Sequence, residues 1–254
     1  MPFAEEQAST GPCPLTAVGF EQLLVFGNST DYTFQPDGHI EMTAWPELLA
    51  PNDRDGVLSG VTVRNEAQRG QTMGNWDAWG PDPRLRLNGY APTVLDTFEP
   101  DLLDTTLVLF APSFIDLQEN GFDSERALVD LGVVLATLEE YGLTTIVLPM
   151  NYVSTALNDR LPDLNPAIER FNDHLAEQGG FVEPFIDSPL RVENGDVGGD
   201  ERLFDDFPGR DRDGRWTGPD GFHPDAEGQL TKADDVLEML ATFSERASSD
   251  IGCP

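Results

Sequence analysis

"LLVFGNST", residues 23–30, sets the architecture. Four apolar residues run without a polar break into Gly-Asn-Ser-Thr. A strand buried on both faces has this near-continuous apolar character, whereas a half-solvated strand alternates. Gln22 to Phe26 is therefore a candidate strand, joined by Val57 to Arg64, Thr106 to Ala111, Thr144 to Pro149 and Phe181 to Ile186. Helical patterns lie between and after them: Thr43 to Ala50, Ala91 to Phe98, Ser124 to Tyr141, Asn165 to Gln178 and Asp225 to Ser248. The alternation predicts an α/β domain with a central parallel sheet of about five strands covered on both faces. Ser29 itself stays open at this point: helix cap or nucleophile.

The 254 residues suit one such domain. Residues 1–20 read as an N-terminal extension and 21–250 as the domain, with a long irregular loop at about 189–224 rich in Gly, Asp and Arg. The formal charge is −31 and Lys232 is the only lysine. So acidic a surface repels phosphate backbones and anionic lipid heads, which argues against nucleic-acid partners. A high-salt habitat suits this composition, and a high-GC genome accounts equally well for Arg in place of Lys. No apolar run is long enough for a membrane span, so no membrane insertion is expected.

"MPFAEEQAST" lacks the basic start and apolar middle of a signal peptide, which fits a cytosolic protein or a mature or trimmed form. Cys13 and Cys253 stand at opposite ends of the chain. A disulfide between them, which would contribute about 5 kcal/mol at most in the chain-entropy model, implies an exported protein; two unrelated thiols are the alternative. Two cysteines so far apart do not suggest zinc, and "DRDG" in the long loop lacks the further ligands of a calcium loop.

In an open parallel sheet, reactive groups collect beyond the carboxyl ends of the strands, where Ser29 falls. A serine hydroxyl needs a base, and the base needs an orienting group. Of the three histidines, His39 lies in the turn "QPDGHI" and His174 within a helical pattern. His223 stands in "GPDGFHPDAEG", three residues after Asp220 and just before a helix. An Asp-x-x-His turn lets the carboxylate hold one ring nitrogen while the other faces outward. Asp220, His223 and Ser29 together form a candidate triad.

These motifs resemble the SGNH, or GDSL-type, hydrolases over nearly the whole chain from Leu23 to the last helix. Gly27-Asn28-Ser29 is similar to the family's first block, Gly-Asp-Ser, and "DGFHPDAEG" to its last, including Gly228. The "TAWPELLA" helix also looks like the family. The resemblance implies a flavodoxin-like three-layer α/β/α sandwich and a serine esterase or carbohydrate deacetylase with no metal or organic cofactor. It also implies an oxyanion hole from the backbone N–H groups of Ser29 and Gly70. The family's third block, Gly-x-Asn-Asp, is absent: with Asp116 in the Asp position, Ile115 stands where the donor Asn should be. Ser113 and Asn120 are the candidates for the third donor.

The expected substrate is a small-molecule or glycan ester, with Trp76 and Trp79 of "GNWDAWG" offered as sugar platforms or as packing residues. Acyl transfer onto a glycan, and a binding domain that kept the fold and lost the activity, are the alternatives. A receiver or flavin module would leave the Asp220–His223 turn unexplained.

Overall fold

A computed structural model of the chain describes residues 12–28, 43–68, 71–74, 87–153, 155–177, 208–210, 216–219, 224 and 226–249. The central sheet has four parallel strands among them: β1 (Gln22–Phe26), β2 (Thr62–Asn65), β3 (Thr106–Phe110) and β4 (Thr144–Val147), in the order β2-β1-β3-β4. Phe26 of β1 is in register with Phe110 of β3, which pairs in turn with Val147 of β4; Val25 faces Asn65 of β2. The sequence-expected strand at Phe181 to Ile186 lies outside the described residues.

Every residue of β1 and β3 is buried, as their apolar runs require. Side chains alternate between two separate cores because a strand has a period of two. Leu24, Phe26, Val108 and Phe110 face one core, and Leu23, Val25, Leu107 and Leu109 face the other. The first core is closed by α2 (Leu87–Leu95), α4 (Phe114–Glu119), α5 (Ser124–Glu140), α6 (Thr155–Arg160) and α7 (Leu164–Glu177). The second is closed by α1 (Trp45–Asn52) and the long α8 (Ala226–Ser248). A short α3 (Pro100–Leu103) leads into β3. Residues 12–20, read from sequence as extension, belong to the domain: Leu15 is fully buried in the second core and donates its N–H to Val57 O (2.8 Å).

Several sequence boundaries move for identifiable reasons. Val57 and Leu58 are not strand: residues 57–60 form a turn, and β2 begins at Thr62. The Asp53 carboxylate accepts from the N–H groups of Gly56, Val57 and Leu58, which holds the turn while both apolar side chains stay buried. Burial made them look like strand. The helix expected from Ala91 starts at Leu87, with Pro92 inside it. α5 matches its expectation closely, capped by Asp123 and ended at Gly142, whose φ of +72° only glycine adopts freely. The 189–224 loop is not wholly irregular. It contains a separate antiparallel pair, β5 (Pro208–Arg210) and β6 (Trp216–Pro219), too short and Gly/Pro-rich to show an apolar period.

The segment following β4 is stitched to α7 by two asparagines, seven residues and therefore two helical turns apart. Asn165 accepts from Val153 N–H and donates to Val153 O, both at 3.0 Å. Asn172 does the same with Met150, at 2.9 and 3.0 Å. Each side-chain amide thus imitates a neighbouring strand. Asn165 is completely buried, so Asn165→Ala strands an N–H and a carbonyl in the interior; a loss of about 2–4 kcal/mol of unfolding free energy is expected in urea titration.

Candidate active site

The site begins where β1 ends. Its main-chain pairing continues past the strand: Ala111 N–H donates to Phe26 O (2.9 Å) and Gln68 N–H to Gly27 O (3.1 Å). The segments leaving β2 and β3 therefore stay beside the one leaving β1, and Leu148 follows on the far side through Phe110 O (2.8 Å). Asn28, at 2% exposure, is the last described residue before Ser29. Ser29, Gly70, Trp76, Trp79, Asp220 and His223 lie outside the described residues, as does His39.

Gly70 is bracketed by described neighbours: Gln68 is tied to Gly27, and Gln71 N–H donates to Gln68 O (3.1 Å). Two residues further, Met73 N–H donates to the Asp116 carboxylate at 2.6 Å. The other oxygen of that carboxylate accepts from Ser113 N–H at 2.9 Å, completing a capping box at the start of α4. Asp116 is 2% exposed. Burial pushes its carboxyl up to about 7, the two N–H bonds pull it back, and the like charge of Asp130 raises it further.

The third-block candidates separate cleanly. Asn120 donates through Nδ2 to Asp116 O (2.9 Å) and to Asp130 on α5 (3.0 Å). Both amide hydrogens are thus used within the α4–α5 corner. Ile115 is buried and contributes its N–H to Ser113 Oγ (3.2 Å). Ser113 Oγ accepts that bond, and its hydroxyl hydrogen meets no acceptor among the described residues. Ser113 and Ser29 each stand three residues past the paired Phe110 and Phe26.

The last block is approached from α8. Pro224, next to His223, is buried, and the helix starts at Ala226. Gln229 Oε1 accepts from Trp45 N–H at 2.9 Å, joining the first turns of α8 and α1. The Lys232 ammonium lies 5.1 Å from the Trp45 ring centre. In a parallel β-α-β unit the helix starts at the carboxyl edge of the sheet, so α8 also starts there. His174 is in α7 and half-buried.

A polar cluster that the sequence reading missed lies beside this edge. Glu66 accepts from Arg64 Nε and from Tyr90 OH (2.7 Å), while Gln68 Nε2 donates to Tyr90 OH (3.2 Å). Tyr90 meets Phe26 edge-on at 6.3 Å, and the Arg64 guanidinium lies over Phe98 at 4.7 Å. Burial and the Glu66 carboxylate push the Tyr90 phenol up to about 12. The available signal was the period of two in Arg64, Glu66 and Gln68, which puts them on one side of an extended segment. Among the described residues, no group of three His, Cys, Asp or Glu side chains could hold a metal ion, and no helix is long and apolar enough to cross a membrane.

The parallel strand order with helical layers on both faces makes an α/β/α fold of the kind found in SGNH-type hydrolases. Solved structures with this architecture bear it out. A carbohydrate acetylesterase family member from Sinorhizobium meliloti aligns with a TM-score of 0.56 at 16% identity, over 88% of this chain and 100% of that one. A member of the lipolytic G-D-S-L family from Veillonella parvula gives 0.52 at 16% identity, over 85% and 96%. A psychrotrophic esterase from a Pseudoalteromonas species, inhibited by monoethylphosphonate, gives 0.52 at 14%, over 88% and 98%. No family model matches the sequence, and no curated protein matches it. The likeness is one of fold, at 14–16% sequence identity.

The raised carboxyl of Asp116 has a definite consequence for stability. Between its ordinary value of 3.8 and about 7 the folded protein keeps a proton that the unfolded chain has lost. Its stabilising contribution is full below that ordinary value and drains as pH rises through about 7. Relative to Asp116→Asn, which cannot titrate, the wild type should lose up to about 1.4 kcal/mol per pH unit across that window. Urea titrations of both proteins at several pH values measure this. A wild type that gains on the variant across the window contradicts the assignment.

Proposed function

We propose that the chain is a serine hydrolase of carboxylic esters, of esterase or deacetylase type. Ser29 attacks the ester carbonyl while His223 takes its proton; Asp220 orients the imidazole and stabilises its cation. His223 then protonates the departing alcohol, and water, activated by the same base, releases the acyl group from Ser29. The oxyanion is met by the N–H groups of Ser29 and Gly70 and by the Ser113 hydroxyl, which replaces the usual asparagine amide.

The supporting observation is the convergence of described neighbours at one sheet edge. Asn28 precedes the proposed nucleophile, Gln68 and Gln71 flank the glycine, and Ser113 stands as many residues past Phe110 as the nucleophile does past its partner Phe26. Pro224 and the first turn of α8 follow the proposed base, and Gln229 ties that turn to α1. The acetylesterase and esterase neighbours share this fold, which supports an ester as substrate. A small acyl ester or an acetylated glycan fits the expectation, with Trp76 and Trp79 as sugar platforms. Acyl transfer to a glycan uses the same acyl-enzyme with a sugar hydroxyl in place of water. The disulfide at Cys13, in a chain whose only other cysteine is Cys253, supports an exported location. A binding domain without activity is the competing reading, favoured by the missing third-block amide.

A fluorophosphonate probe tests the reading directly. Label is expected on Ser29, together with hydrolysis of p-nitrophenyl acetate that Ser29→Ala and His223→Ala abolish. Ser113→Ala should lower kcat on the order of 100-fold with folding intact. Lack of both label and Ser29-dependent turnover leaves the binding-domain reading. A screen of acetylated sugars against short acyl esters assigns the substrate class.

A further inference from the structure

Asp116 does more than cap a six-residue helix. Its two oxygens accept from different segments: Met73, beyond β2, and Ser113, beyond β3. In the sheet order β2-β1-β3, those segments leave from opposite sides of β1, about 10 Å apart at two strand spacings. By the time they reach Asp116 the two segments have converged, and its single carboxylate joins them. The segment from Gln68 to Met73 is held at both ends, by Gly27 O at one and by Asp116 at the other, with Gly70 between them in the chain.

Resting on the ester-hydrolase reading, we propose that Asp116 is a positioning residue of the oxyanion site, fixing the segment that carries Gly70 and the one that carries Ser113 relative to each other. The two N–H donors meet different oxygens of one rigid group. An ionised carboxylate has two acceptor oxygens, whereas an amide or a protonated carboxyl has one acceptor oxygen and a donor in the other place. The charged group that faces Asp116 is Asp130 of α5, held by Asn120. α7, packed against α4, buries apolar Leu164, Ala167, Ile168 and Phe171. No cation among the described residues pairs with the carboxylate, so backbone dipoles carry its stabilisation. Asp130 also limits the segment itself, since a Cβ on Gly74 would come within 2.8 Å of its carboxylate oxygen.

The test compares full-length wild type with Asp116→Asn on p-nitrophenyl acetate, well below the unfolding midpoint of each. At about pH 8 the variant should lose about tenfold or more in kcat, with KM changed less than about threefold. The wild-type-to-variant ratio of kcat should shrink towards one as pH falls to about 6, because protonated Asp116 offers the same single acceptor oxygen as the amide. A folded variant with wild-type kcat, or a ratio constant with pH, overturns the proposal. If the variant does not fold, amide hydrogen exchange in the wild type decides. Met73 and Ser113 should be protected at about pH 8 and exchange faster, after correction for intrinsic rates, at about pH 6. Unprotected exchange of either amide at the higher pH overturns the proposal. A wild type without fluorophosphonate label on Ser29 sinks the hydrolase reading, an outcome distinct from an active, unaffected Asp116→Asn.

Discussion

The main-chain pairing of β1 on both sides is the constraint from which the rest follows. A central strand has no free edge, so its peptide groups are satisfied by β2 and β3 and both its faces must be apolar. Those two faces create two cores, and the two cores require helices on both sides. The same pairing runs on through Phe26 and Gly27, which keeps the loops of the neighbouring strands beside the chain as it leaves the sheet. Main-chain bonds thus bring the three segments together, and Asp116 and Ser113 act on an arrangement already made.

Central elements were legible because their burial is recorded in composition. β1, β3 and α5 are read within a residue or so from apolar runs, an Asp cap and a Gly stop. Elements at the margins were not. Val57 and Leu58 carry strand-like side chains, but three N–H groups gathered by Asp53 turn the chain there. β5 and β6 are held by pairing alone over three and four residues, with no periodic signal to detect.

The supports of the candidate site were only partly legible. The Ser29 and Asp220–His223 motifs are local patterns, which a sequence displays directly. The roles of Asp116 and Asn120 depend on Met73 and Asp130, which are 43 and 10 residues away respectively, and no local pattern encodes such partners. Ser113 and Asn120 look equally suitable in the sequence. They differ because the end of a short helix aims Asn120 at α5, while the start of that helix leaves a serine hydroxyl hydrogen without an acceptor among the described residues. The glutamate–tyrosine–arginine cluster beside β1 escaped notice for a similar reason: Tyr90 joins it from α2, across 24 residues.

Lys232 has a consequence outside catalysis. It is the only lysine in the chain, and at 8% exposure it is packed over Trp45 between α1 and α8. The chain therefore keeps its one lysine largely buried. Reagents and enzymes that modify lysine would find this target held in a helix–helix seam, so resistance to amine modification there reports on whether α1 and α8 stay packed together.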